Sequence, residues 1–177
     1  MSEGKAGKKW WGKYKGTVVQ NADPEFRGRI MCTVPTVLGL TPSSWCEACA
    51  PLAGPTGPPM GVYMVPPIGA GVWIEFEQGD PDYPIWVGGY WGSAAETPAL
   101  AKAVPPGLAG ITLQTTLKNG IVVSDTPGPT GGILIQTTTG AMVSVSDVGI
   151  IISNGKGATI NMTGPTTDIN LGALTVI

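Results

Sequence analysis

The sequence contains no histidine, and few of its residues carry a charge. Charged residues make up 12% of the 177 residues, and the formal net charge is −2 at pH 7. Without histidine, the chain lacks the usual general base at neutral pH and the commonest ligand of catalytic metal ions. The nearly balanced charge also provides no global attraction to nucleic acid or anionic lipid. We therefore predict no enzymatic activity, no cofactor, and neither a catalytic nor a metal site.

Long apolar segments are also missing. No apolar run approaches the roughly 20 residues that span a bilayer, and the polar N-terminus does not have the apolar centre of a secretory signal. We expect the protein to remain in the cytoplasm until it is assembled, unless other machinery exports it.

Cysteines are few, and their number is odd, which argues against a complete intrachain disulfide framework. Cys46 and Cys49 have the spacing of a redox motif, but a strand would point residues three apart to opposite faces. No second cysteine pair completes a zinc site with them. We predict that Cys32, Cys46 and Cys49 are structural thiols, with an intersubunit disulfide as an open alternative.

Four carboxylates near one predicted hairpin are the remaining candidates for chemistry. Glu75 and Glu77 are predicted to share one strand face, where they lack the flanking arrangement of a glycosidase pair. Asp80 and Asp82 flank Pro81, a pattern better explained by a tight turn than by a calcium site. We interpret the first pair as a solvated strand face and the second as part of a turn.

The aromatic residues divide the chain into two parts. Six Trp, four Tyr and two Phe all lie at or before Trp91, whereas the rest of the chain is rich in Thr, Ile, Val and Gly. Ordinary cores are filled by bulky side chains at close-packed density. The aromatic-free part therefore predicts a narrow, regular β structure.

The first part has the pattern of a small β-barrel. It shows no sustained helical period, and Val72, Ile74 and Phe76 alternate with polar or bulky neighbours. Strands are predicted over residues 14–20, 28–35, 45–51, 72–77 and 83–89, with a loop at 36–44 and a hairpin turn at 78–82. Such a series predicts a closed or nearly closed barrel of about five or six strands.

The predicted boundaries are a basic and aromatic arm at 1–13, a barrel at 14–92, a linker rich in Ala and Pro at 93–110, and a needle at 111–177. Lysines surround Trp10 and Trp11 in and just after the arm; they are Lys5, Lys8, Lys9, Lys13 and Lys15. A solvated arm is the favoured interpretation. A polyanion site and an arm that docks on a partner through its tryptophans are the alternatives.

Glycines recur at spacings of 8, 9, 8, 7 and 8 in the second part. They are Gly132, Gly140, Gly149, Gly157, Gly164 and Gly172. Short β-prone pieces lie between them, at residues 133–136, 142–145, 150–153, 159–162 and 167–171. Each repeat therefore predicts one strand followed by a corner that glycine permits.

Strands this short do not bury an apolar face alone, and a single file of them leaves unpaired edges. Three chains winding about one axis would solve this problem, because each chain would supply one face of a three-sided prism. We therefore predict an all-β protein, with an N-terminal OB-fold barrel followed by a trimeric, intertwined triangular β-helix.

Residues 65–91, VPPIGAGVWIEFEQGDPDYPIWVGGYW, resemble the OB-fold signature of the phage baseplate protein V and VgrG-like central spike family. The Gly-Asp-Pro-Asp-x-Pro hairpin is the most specific part of this signature. Residues 28–35 resemble the family's Gly-Arg-Val-x-Val-x-x-Pro strand, and the resemblance covers about residues 14–92 of the chain.

The resemblance implies a homotrimeric central spike of a contractile tail or injection machine. Such a spike contacts the target membrane only when it punctures it. The chain has no room for an inserted lysozyme domain, and no hub-like domain precedes the barrel. We therefore expect a separate hub protein at the N-terminal, barrel side. The His-x-His ion site of some spikes is absent near the apolar residues 174–177, which suggests a separate PAAR-like tip protein.

Two other functions remain open at this stage. An OB barrel that binds single-stranded nucleic acid would use aromatic platforms, for which Trp73 and Trp86 are the candidates. A trimeric fibre or adhesin would share the prism but would need a receptor-binding head. The sequence leaves three alternatives open for the machine: a phage tail, a secretion system or an extracellular injection particle.

Overall fold

The fold is that of a computed structural model, which describes residues 7–54 and 58–176 and divides into two compact units between Gly92 and Ser93. Lys5 and Ile177, two residues of the predicted arm and needle tip, lie outside the described residues. Among the described residues, no helix is both long and apolar enough to cross a membrane.

Five strands form the sheet of the first unit. They are β1 (Tyr14–Gln20), β2 (Met31–Thr33), β3 (Glu47–Ala48), β4 (Gly71–Phe76) and β5 (Pro84–Tyr90). Their order is β2-β1-β4-β5-β3, and all pairs are antiparallel except β3 with β5. Ile30 and Cys46 exchange two backbone hydrogen bonds of 3.3 and 2.7 Å. Ile30 and Cys46 directly precede the two edge strands, β2 and β3, so this bridge links the two ends of the sheet into a nearly closed barrel.

Two predicted strands are shorter in the structure. The strand predicted at 28–35 is regular only over β2, because Pro35 lacks a backbone N–H and begins a single helical turn, α1 (Pro35–Leu38). This turn occupies the start of the predicted loop at 36–44. The strand predicted at 45–51 is reduced to β3 and the Cys46 bridge.

The barrel core contains the side chains that alternation predicted. Val72, Ile74 and Phe76 of β4 are buried, and they pack with other buried residues, namely Val18, Ile30, Cys32, Val34 and Cys46. Inward and outward residues alternate because successive side chains of a strand point to opposite faces.

The described part of the N-terminal arm lies on this barrel. The Trp10 amide donates a hydrogen bond of 2.8 Å to the carbonyl of Gly79, and the Trp10 ring packs edge-on against Tyr14. Lys9 forms an ion pair with Asp80 at 3.5 Å. The favoured interpretation of a solvated arm is therefore wrong for Trp10, whose large ring packs against the barrel core, whereas Lys8, Lys9, Trp11 and Lys13 are exposed.

Eight strands form the sheet of the second unit. They are β6 (Gly110–Gln114), β7 (Gly120–Ser124), β8 (Gly132–Gln136), β9 (Ala141–Ser146), β10 (Gly149–Asn154), β11 (Thr159–Thr163), β12 (Thr166–Ile169) and β13 (Leu174–Val176). The five strands predicted between glycines are confirmed as β8 to β12. All six repeat glycines have a positive φ, as corners require.

The pairing of these strands differs from the expected intertwining. Each strand pairs antiparallel with its neighbours in sequence, from β6 to β13 in order. The six interior strands therefore have both edges occupied by their own chain, which leaves no position between them for a strand of another chain. The physical reason is the shortness of the turns, because a connection such as residues 147–148 returns the chain directly beside the preceding strand.

The stretch that precedes β6 packs within the second unit. It contains a short 3₁₀ turn, Ala101–Ala103. The amide of Leu100 donates a hydrogen bond of 2.9 Å to the side-chain oxygen of Gln114 on β6.

Candidate functional site

One face of the second sheet carries two continuous rows of apolar side chains. Directly opposed residues of an antiparallel pair lie on the same face, so the strand registers define the rows. The first row is Ile111, Val123, Ile133, Val145, Ile150, Met162, Thr167 and Val176, and the second is Leu113, Ile121, Ile135, Val143, Ile152, Ile160, Ile169 and Leu174. Thr167 is the single polar member. We call these two rows the apolar face.

The apolar face is exposed to solvent in the single chain. Ile111 exposes 66% of its surface and Ile135 exposes 48%, and most members of both rows are similarly accessible. The opposite face is more polar but less accessible: Ser144, Asn161 and Asp168 are half-buried. A sheet that exposes its aliphatic side and shields its polar side is incomplete alone, because large exposed apolar patches mark interaction surfaces.

Glycine corners keep the two rows aligned. At Gly132, where φ is +78°, a Cβ atom would lie 2.0 Å from the carbonyl oxygen of Val145. At Gly149, where φ is +149°, it would lie 2.2 Å from the carbonyl oxygen of Met162. No side chain fits at these distances, so glycine is needed both for the turn and for the close approach of the next strand.

Side-chain hydrogen bonds link successive turns beyond the strand ladder. The Asn119 side-chain oxygen accepts a bond from the Thr138 amide at 3.0 Å, and the Asn170 side-chain oxygen accepts one from the Thr159 amide at 3.0 Å. At the other edge, the Asp147 carboxylate accepts one from the Gly128 amide. These hydrogen bonds join turns between different strand pairs, and they occur along both edges of the sheet. They therefore oppose relative movement of the strands.

The four carboxylates near the predicted hairpin lie at the end of β4 and in the turn that follows it. Glu75 on β4 forms an ion pair with Lys13. Glu77 is not on the strand, which ends at Phe76; it begins a 3₁₀ turn, Glu77–Gly79, so the prediction of a shared strand face is wrong. Asp80 accepts a hydrogen bond of 3.1 Å from the Asp82 amide, which confirms the turn. Within residues 7–54 and 58–176, no group of three or more acidic or cysteine ligands converges.

The cysteine nearest to Cys46 in the structure is Cys32, and not Cys49 as the sequence spacing suggested. Cys49 is exposed, whereas Cys46 and Cys32 are buried with their Sγ atoms 3.5 Å apart. Ser43 Oγ lies 3.2 Å from the Cys46 sulfur. The hydrogen bond to Cys32 and burial in the core both raise the pKa of the Cys46 thiol. Cys46 is therefore a core residue next to Cys32, and Cys46 and Cys49 do not form a redox unit.

Trp73 and Trp86 lie on different faces of the barrel sheet. Trp86 is opposite the buried Ile74 and packs on the core, and its Nε1 donates a hydrogen bond of 3.0 Å to the carbonyl of Gly28. Trp73 alternates with buried neighbours and contacts Tyr90, with ring centroids 5.1 Å apart. The structure therefore does not bring the two indoles together as a stacking platform for nucleic-acid bases.

A buried ion pair was missed by the sequence analysis. The Arg29 Nη2 atom lies 2.7 Å from Asp23 Oδ1, and both side chains are almost inaccessible. Hydrogen bonding from Arg29 holds the pKa of the Asp23 carboxyl far below its usual range. The sequence signal was the Asn-Ala-Asp-Pro turn before Gly28 and Arg29, but nothing in one sequence indicates that the Asp23 and Arg29 side chains are buried.

Comparison with known families gives two matches. Residues 14–91 match the type VI secretion system/phage-baseplate injector OB domain. Residues 110–175 match the phage baseplate V C-terminal trimerisation domain. No curated protein sequence matches the chain. The second match spans all eight strands that carry the apolar face, with only the last position, Val176, beyond it.

Proposed function

The chain belongs to the phage baseplate V, VgrG-like family of baseplate spike proteins, and from this membership we propose that it is the central spike that punctures the target cell envelope when a contractile sheath shortens. The family gives the chain a structural role in a phage baseplate or type VI secretion machine, and therefore a place in a tail or injection particle. The match to a trimerisation domain supports a homotrimer.

The apolar face is the observation that supports this proposal most directly. In a threefold assembly, each strand layer receives two side chains from each of three chains around the axis. Strands of three to six residues give sheet faces roughly 10–20 Å wide at about 3.3 Å per residue. An interior that narrow suits Ile, Val and Leu, and it has no room for aromatic rings.

The mechanical role follows from the direction of the strand ladder. Eight strands separated by about 4.8 Å stack over roughly 34 Å, and in the proposed trimer this stacking direction is the spike axis. Force along the axis then compresses neighbouring strands instead of peeling one strand from a sheet edge. The hydrogen bonds that the side chains of Asn119, Asp147 and Asn170 accept from backbone amides of other turns oppose sliding between strands.

No catalysis is required for puncture, because the energy comes from sheath contraction elsewhere in the machine. We propose that the chain is not an enzyme and acts by stiffness alone. A separate hub protein at the barrel side and a PAAR-like tip protein at the C-terminal end are part of the same proposal. Particles would assemble in the cytoplasm, with membrane contact only at puncture.

Electron microscopy of assembled particles tests the proposal. Particles that carry the tagged wild-type chain should show its density on the tail axis below the sheath. Particles made with Ile135→Glu should lack this density and fail to inject, whereas Gln136→Glu, which alters the next residue on the opposite face, should retain both. Density at a peripheral site would instead indicate a fibre or adhesin and would refute the spike assignment.

A further inference from the structure

The loop between β1 and β2 presents one aromatic side chain to solvent. Phe26 exposes 84% of its surface, and its φ is +53°. A positive φ is unusual for a bulky residue, and such strain is a reason to look for function. The Phe26 amide donates a hydrogen bond of 3.2 Å to the Asp23 carbonyl, so the conformation belongs to a closed turn.

The buried ion pair holds this loop in place. The Asp23 carboxylate accepts hydrogen bonds from the Arg29 side chain and from the backbone amides of Glu25, Arg27 and Arg29. One carboxylate therefore fixes the backbone on both sides of Phe26. Burying an ion pair carries a desolvation cost, and here the pair fixes the backbone that carries an exposed ring before any partner binds.

Exposed apolar side chains lie close to the loop that carries Phe26, and the charges of Glu25 and Arg27 on either side of Phe26 are paired within the chain. The Tyr63 ring lies within 3.4 Å of the position that a Cβ of Gly28 would occupy, which brings residues 60–64 close to the loop. Met60, Tyr63 and Met64 in this segment are exposed. Arg27 pairs with Glu25 and Glu47 of its own chain. We call Phe26 and residues 60–64 together the Phe26 surface.

We propose that the Phe26 surface is the contact between the barrels of neighbouring copies in the trimer, with Phe26 of one copy packed against residues 60–64 of the next. This inference rests on the proposed homotrimer. A threefold ring uses heterologous contacts, in which a residue of one copy meets a different residue of the next. A rigid aromatic anchor and an adaptable methionine surface are complementary in such a contact.

The trimerisation domain itself favours another copy as the occupant. Three tethered barrels experience one another at an effective concentration on the order of millimolar, so weak apolar contacts between them form readily. The pairing of Arg27 within its own chain also means that like copies meet without unpaired like charges at this loop.

Full-length variants can separate this contact from stability within one barrel. All six tryptophans lie at or before Trp91, so tryptophan fluorescence reports barrel unfolding alone. We expect Phe26→Ala to lower the barrel melting temperature by at least about 4 °C in the trimer. In the Ile135→Glu background, where the chains are separate, the same substitution should change it by less than about 1 °C. Leu40→Ala, at a site with 90% exposure on another loop, is the control and should act equally in both backgrounds.

Photocrosslinking gives a second test that does not require separated chains. A benzophenone analogue of phenylalanine at position 26 of the otherwise wild-type chain should yield covalently linked trimers after irradiation, with the linkage in residues 60–64 of another copy. An equal effect of Phe26→Ala in both backgrounds, or linkage only within one chain, would overturn the inference. Crosslinks from position 26 to another copy would support the barrel contact even if Ile135→Glu remained trimeric. In that case only the proposed role of the apolar face in trimer formation would be refuted.

Discussion

Replacing one side chain in the middle of the apolar face should separate the trimer. Ile135 lies on β8 in the second row, and about half of its surface remains to be covered in the single chain. Losing that burial costs about 1 kcal/mol for each chain, and placing a carboxylate there adds several kcal/mol for each ion. Across three chains, Ile135→Glu should cost roughly 10 kcal/mol, which weakens association by about seven powers of ten.

Sedimentation equilibrium measures this directly. The wild-type protein should have three times the chain mass of 18.1 kDa, and Ile135→Glu should sediment as a single chain at micromolar concentration. Gln136→Glu introduces the same side chain one residue later on the opposite face and should remain trimeric. Acidification should restore association of Ile135→Glu, because a protonated glutamic acid removes the buried charge. A wild-type monomer, or a trimer that tolerates Glu at position 135, would refute the assignment of the face.

Three further predictions concern the barrel and the corners. Hydrogen bonding from Arg29 lowers the folded-state pKa of Asp23, so the pair stabilises the barrel fully above the unfolded pKa of about 4, and this stabilisation is lost as the pH falls below it. Denaturant titrations followed by tryptophan fluorescence should therefore show a free energy of unfolding that decreases as the pH falls below about 4 in the wild type. The decrease should be smaller in Asp23→Asn. Gly132→Ala should destabilise the second sheet in circular dichroism melts more than Gly157→Ala does, since both glycines have a positive φ but only the first has a backbone carbonyl in the way. Ellman's reagent should detect one reactive thiol per native chain, Cys49, and three after denaturation; three in the native protein would contradict the buried positions of the other two.

The sequence predicted those elements whose signal is local. Alternation around Val72, Ile74 and Phe76 marked β4 and its buried face, and the regular glycines marked β8 to β12. Strands β6 and β7 lie before the regular glycine repeat begins. Gly120 and Gly132 are farther apart than the repeat spacing, so the repeat did not predict these two strands. Strand β13 has only three residues, which is too short for any periodicity.

Contacts between distant residues could not be predicted from one sequence. The sequence indicated that the second part needs partner chains, but the apolar face depends on registers that the turns determine. Similarly, Cys46 was considered with Cys49 because of their spacing, whereas barrel closure at Ile30 brings it to Cys32. The desolvated pair of Asp23 and Arg29 also depends on packing that one sequence does not encode in any local pattern.

The order of the two units along the chain has a consequence for biosynthesis. A ribosome completes the barrel (residues 14–92) before it releases the second sheet, so the apolar face emerges after the barrel. During that interval, a lone copy offers two hydrophobic rows to chaperones, proteases and other nascent polypeptides. Translation of several copies from one messenger RNA would bring newly made chains together sooner. The yield of trimer should therefore depend on expression rate more steeply than the yield of a protein that folds alone.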